Sequence, residues 1–209
     1  MKKGITKILS ACVFAFVVFL AAGTQSKAAV NMGVKQTGAG SSYVDLAWDA
    51  QLGAGHYHTQ FSQDGKNWID MDNSSSPSES VYNLTQGASY YARVVAYKGS
   101  HYTGTHVMIG VSETAIVSTK PTEVSGLTQT AAGVNSISMS WNASAGAASY
   151  VIYGYINYNW TQIGTSATNS ATITGVAATT STRFSVAAVK NVTGGTVTGC
   201  LLYTSDAAD

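Results

Sequence analysis

From residue 30 onward the apolar positions recur every second residue in short runs, and almost nowhere every third or fourth. The segments YVDLAW (43–48) and SISMSW (136–141) alternate in this way. In SYYARVVAY (89–97), Tyr90, Ala92, Val94 and Ala96 fall on one face and Tyr91, Arg93, Val95 and Tyr97 on the other. A period of two predicts half-buried strands. Clusters of small and turn-forming residues, TGAGSS, QDGKN and NVTGG, separate the runs at hairpin spacing. The pattern predicts an all-β chain.

The runs are written twice, at a period of about ninety residues. Trp48 is followed nine residues later by Tyr57, and Trp141 nine residues later by Tyr150. Trp68 precedes Leu84 by sixteen residues, and Trp160 precedes Val176 by sixteen. ARVVAYK (92–98) has its counterpart in FSVAAVK (184–190). This register uses all four tryptophans and predicts two units, 30–120 and 121–199. Pro121 marks the junction, because it cannot donate to a strand ladder. The linker is short, so the two units should sit end to end.

The ends read differently. Lys2, Lys3 and Lys7 precede an uncharged apolar run at 8–22, and Ser26 and Ala28 stand at the −3 and −1 positions of a cleavage site. This is the pattern of a secretory signal peptide over 1–29, too short for a membrane span of roughly 20 residues. Leu9-Ser10-Ala11-Cys12 has the letters of a lipoprotein motif, but its cysteine precedes the apolar run instead of following it, so lipidation is not expected. CLLYTSDAAD (200–209) resembles the translation of a transposase adapter used in sequencing libraries. It is treated as foreign to the fold, and unit 2 is expected to lack its native last strand, with CLLYTS drawn into the vacancy.

Between the ends, residues 30–199 carry seven Lys/Arg and eight Asp/Glu, a net charge of −1. That balance offers nothing to nucleic acid or anionic lipid. Both cysteines, Cys12 and Cys200, lie outside the span, so no disulfide is expected and the cores must hold by packing.

With these residues in place, each unit resembles a fibronectin type III domain. Trp48 corresponds to the tryptophan of strand B and Tyr57 to the tyrosine of strand C. Leu84, Gly87 and Tyr90 match the family's L-x-x-G-x-x-Y segment leading into strand F. The resemblance implies an immunoglobulin-like β-sandwich, with Tyr90 forming a tyrosine corner. Unit 2 keeps Trp141 and Tyr150, but Val176, Thr179 and Thr182 replace Leu, Gly and Tyr. It should therefore lack the corner hydrogen bond, a net loss of about 1 kcal/mol.

Chemistry is sparse. His56, His58, His101 and His106 should gather near one end of strands C, F and G. No carboxylate or cysteine completes a recognisable metal-site spacing, and they are read as solvated surface histidines, with no metal or other cofactor expected. DMDNSS (70–75) begins like a calcium loop but lacks the glycine at its sixth position and the terminal glutamate, and is read as a polar loop. No nucleophile elbow, phosphate loop or Arg-Gly-Asp tripeptide is present. In YVIYGYINYNW (150–160), Tyr150 and Ile152 should point inward and Val151, Tyr153 and Tyr155 outward, with Arg183 on the neighbouring strand F. Outward tyrosines can stack on sugar rings or anchor a protein, and they can equally just stabilise a sheet face.

These features predict a non-catalytic extracellular module, a spacer or adhesion unit at the start of a longer secreted or cell-surface protein. Its expected partner is an extracellular polysaccharide or protein, with no nucleic acid and no membrane span after signal cleavage. The alternative is an accessory module of a secreted polysaccharide-degrading enzyme, which the reading frame beyond residue 199 would distinguish.

Overall fold

In a computed structural model of the chain, residues 29–99, 106–176 and 183–203 are described. The first unit contains β1 (Ala29–Val30), β2 (Lys35–Ala39), β3 (Val44–Ala47), β4 (His56–Ser62), β5 (Ile69–Ser74), β6 (Ser78–Val81), β7 (Ser89–Lys98), β8 (Val107–Ser112) and β9 (Ala115–Ser118). The second contains β10 (Ser125–Gly133), β11 (Ser136–Asn142), β12 (Ser149–Ile156), β13 (Asn159–Ser166), β14 (Ser170–Thr174), β15 (Phe184–Val192), β16 (Gly195–Thr198) and β17 (Leu202–Tyr203).

The two units repeat one plan. In the first, a sheet β2-β3-β6 faces a sheet β8-β7-β4-β5, with β9 continuing along β7. In the second, β10-β11-β14 faces β13-β12-β15-β16, with β17 continuing along β15. Alternation puts one face of each strand inward. Val44 and Leu46 of β3, and Tyr90, Ala92, Val94 and Ala96 of β7, enter the first core. Met139, Ile152, Val186 and Ala188 enter the second. Each core carries the same aromatic pair. Trp48 meets Tyr57 edge-on at 5.4 Å and 67°, and Trp141 meets Tyr150 at 5.3 Å and 66°. The tyrosine hydroxyls also repeat a role: Tyr57 accepts from the backbone N–H of Gln51 and Tyr150 from that of Ser144, each at 3.0 Å. Tyr90 accepts from the backbone N–H of Thr85 at 3.0 Å, which is the tyrosine corner, closed over Gly87 at φ 70°. Thr179 and Thr182, the substituted positions in unit 2, lie outside the described residues.

The units meet at a bonded junction. Lys190 Nζ donates to the carbonyl of Gly87 at 2.7 Å. Ile116 of β9 and Thr193 exchange two bonds: Thr193 N–H to Ile116 C=O at 2.8 Å, and Ile116 N–H to Thr193 Oγ1 at 2.7 Å. Within the second unit, beside this junction, Thr122 N–H donates to Ala145 C=O at 3.1 Å, and Ala145 N–H returns a bond to Thr122 Oγ1 at 2.7 Å.

The structure corrects two expectations. Residues 69–74 are not a loop: they form β5, paired with β4 from Tyr57↔Ser74 to Phe61↔Ile69. The strand reads as loop because it is an edge, with Asp70, Asp72 and Asn73 exposed and Met71 reaching the core; charge on an edge is a common guard against further pairing. His56 is not solvated: its ring is buried against Tyr97. Along β15, Gly195–Thr198 pairs with the end of the strand and Leu202–Tyr203 with Val186 and Ser185, as β8 and β9 do along β7 in the first unit. At the other end, β1 starts at Ala29 and pairs in parallel with Val111 and Ser112, so cleavage after Ala28 would retain it.

Candidate functional site

The outward face of unit 2 is set by a two-residue turn. Asn157 and Tyr158 take φ of 50° and 64°, both in the left-handed region, as a type I′ hairpin requires. Asn adopts that region readily; Tyr158 is 89% exposed at the tip. The turn sets the register Ile156↔Asn159 and Tyr155↔Trp160. The rings of Tyr155 and Trp160 therefore lie 5.3 Å apart at 55° on the outer face. Tyr155 is 37% exposed. Its N–H donates to the carbonyl of Arg183 at 2.9 Å, which seats the exposed Arg183 on the adjoining strand end. Tyr153 shares the outer face one step back, half-buried, opposite Ser185 on one side and Gln162 on the other. A register shift after Ile152 lets Ile163 pack toward the core while this outward series is kept. The structure thus groups Tyr153, Tyr155 and Arg183 at one end of the sheet and adds Trp160. Trp160 was legible in principle, since a two-residue turn after Ile156 places residues 155 and 160 opposite each other.

Unit 1 uses the equivalent face for polar bonding. Arg93 lies 4.1 Å above the Trp68 ring, and its Nε donates to Gln60 Oε1 at 2.7 Å. Gln60 Nε2 in turn donates to Asp70 Oδ1 at 2.6 Å. Burial lowers the Arg93 pKa, against the pull of Asp70 and Tyr97. Burial raises the Tyr97 pKa, and the Asp70 carboxylate adds to the rise while Arg93 opposes it.

On the same sheet face stand three of the four histidines. His56 and His58 project from β4, and His106 immediately precedes β8. His56 is 3% exposed, because its ring stacks on Tyr97 at 5.2 Å and 10° and its Nδ1 bonds Gly99 C=O at 3.0 Å. An outward position is therefore covered by neighbours rather than water. His101 lies outside the described residues. Among the described residues, no group of three His, Cys, Asp or Glu side chains is placed to hold a metal ion, and no helix is long and apolar enough to cross a membrane.

No known protein family matches this chain, and no curated protein sequence does. Solved structures resemble it. One is a two-domain fibronectin type III segment of chicken tenascin, at 17% identity and a TM-score of 0.38, covering 82% of this chain and 97% of that one. Another is the FN1–FN3 segment of chicken CNTN1, at 15% identity and a TM-score of 0.41, covering 84% and 67%. The sheet order, the paired Trp–Tyr cores and the tyrosine corner make this chain an all-β tandem of fibronectin type III-like sandwiches.

Proposed function

We propose that the chain is a non-catalytic extracellular module, a spacer and adhesion unit of a longer secreted or cell-surface protein. The observation that carries this reading is the Tyr155–Trp160 pair, two aromatic rings held at 5.3 Å on an outer face by a fixed hairpin. Such a pair offers apolar area on rigid side chains, which suits stacking against sugar rings or anchoring a protein surface. Arg183 adds a cation at the same end of the sheet, and Tyr153 extends the aromatic row. The cores behind it are filled by packed side chains, so the face presents its groups without a cleft around them. The bonded junction favours a spacer role, since it ties one sandwich to the next. The same aromatic face would serve an accessory module of a polysaccharide-degrading enzyme.

The test is retention of the full chain on insoluble polysaccharides. Tyr155→Ala and Trp160→Ala should each reduce retention strongly and leave the melting temperature nearly unchanged. Retention equal to the parent in both variants removes the aromatic face as the adhesive surface.

A further inference from the structure

We infer that the open end of unit 1 is a docking surface for a second sandwich of this kind, carried on another chain and presenting a glycine turn like that at Gly87. The chain contains both the surface and a filled copy of it. In unit 2 the turn between β11 and β12 holds Gly146 at φ 83°. It is fixed by Ser144 N–H to Tyr150 Oη at 3.0 Å, Ala147 N–H to Ser144 C=O at 3.2 Å and Ala148 N–H to Val189 C=O at 2.8 Å. In unit 1 the turn between β3 and β4 holds Gly53 at φ 83°. It is fixed by Gln51 N–H to Tyr57 Oη at 3.0 Å, Ala54 N–H to Gln51 C=O at 3.0 Å and Gly55 N–H to Tyr97 C=O at 2.8 Å. Both glycines stand five residues after their core tryptophan. A lysine flanks each turn at the same place in the repeat: Lys98 pairs with Val107 and Lys190 with Val197. The matched bonds and the matched φ make one backbone platform, built twice.

The copy in unit 2 is occupied. Gly146 packs on the backbone of Gly87 with no space for a side chain on either glycine, and Lys190 Nζ bonds the Gly87 carbonyl at 2.7 Å. What the platform recognises is therefore a glycine carbonyl in a left-handed turn, which any residue with a Cβ would hold away. Strand β7 leads from just after the Gly87 turn to Lys98 at the opposite end of unit 1, so the platform there faces away from unit 2. It is open. Among the described residues, chain neighbours aside, nothing lies within 4 Å of where a Cβ on Gly53 would stand. Lys98 is exposed, and Leu52 is 93% exposed. Leu52 takes the place of Ala145, whose carbonyl lies against Gly87, so its side chain adds apolar area beside the acceptor turn. The occupant comes from another chain, because Gly87 is already engaged and unit 2 has Thr179 at the matching position. The contact is heterologous, with two different surfaces meeting head to tail.

The test uses two forms of the full chain, the parent and a probe. The probe carries Gly146→Val and Lys190→Met, which release its Gly87 turn, and Leu52→Asp and Lys98→Met, which silence its own platform. Small-angle scattering of the probe should show its two units released from each other. In sedimentation velocity, parent and probe should form a saturable one-to-one complex, while each alone stays monomeric. Lys98→Met in the parent should weaken the complex about 10-fold or more, the worth of a hydrogen bond from a charged donor. Leu52→Asp in the parent should weaken it about as much, through lost apolar burial. Both positions are exposed, so neither change should move the melting temperature of the parent. Absence of a complex overturns the proposal, as does a complex undiminished by the Leu52→Asp/Lys98→Met parent. Unchanged scattering of the probe overturns it too, because the Gly87 contact would then not be what the platform grips.

Discussion

Lys190 of the second unit donates from Nζ to the carbonyl oxygen of Gly87 in the first, at 2.7 Å. The acceptor belongs to the glycine turn that precedes the tyrosine corner, so the strand F region of one sandwich is fastened to that of the next. Partial burial lowers the Lys190 pKa. A donor drawn out of water in this way contributes through its bond rather than through its charge alone.

The junction should therefore be sensitive to small changes. Gly146 has φ of 83°, and its Cα packs against the backbone of Gly87. A Cβ there would run into that backbone, and the left-handed conformation adds strain, so Gly146→Ala should cost more than about 1 kcal/mol. Lys190→Met should remove the hydrogen bond while keeping the stem. Both variants should widen the distribution of inter-unit angles in small-angle scattering. Unchanged scattering in both would show that the orientation is held elsewhere.

The aromatic pairs make a second prediction. Trp48 and Trp141 are 5% and 3% exposed, each edge-on to its tyrosine. Replacing either by alanine removes a large side chain from a filled core and should cost about 3–5 kcal/mol. Each variant should lower the melting of its own unit first, which tryptophan-resolved fluorescence would report. A loss below about 1 kcal/mol for either would contradict the packing described.

A third prediction concerns acid. Asp64 receives the backbone N–H of Asn67 and of Lys66 and the hydroxyl of Ser62, and these donors hold its carboxyl well below the usual carboxylate range. The folded pKa is depressed, so the stabilisation is present in full above the ordinary value of about 3.9 and is lost as pH falls towards the folded value. Asp64→Asn should destabilise the β4–β5 turn at neutral pH, and the gap from the parent should narrow on acidification. Carbon-detected NMR titration of Asp64 should show a midpoint below the ordinary carboxylate range. A midpoint within or above that range would refute the turn geometry.

Much of this was legible in the sequence because the relevant signals are local. Alternation predicted the inward faces of β3 and β7, and the spacing of Trp to Tyr predicted both aromatic pairs. Strand β5 was hidden because an edge strand with one buried side chain has almost no period. The cover over His56 was hidden because it comes from Tyr97 and Gly99, forty and more residues away, across a register that no local pattern states. Trp160 was assigned to the repeat and so escaped notice as the partner of Tyr155, although the hairpin decides its place.

The pair of bonds between Ile116 and Thr193 has a consequence for solution behaviour. Strand β9 runs beside β7 on one flank, and its other flank meets the turn that carries Thr193. A bare flank of this kind is a template on which a second molecule can crystallise its own strand. Here the neighbouring unit blocks the template at Ile116, an exposed apolar residue at the middle of the strand. Each sandwich is thus more than cargo for the other: the second covers the open flank of the first where Ile116 would offer its backbone groups to another strand.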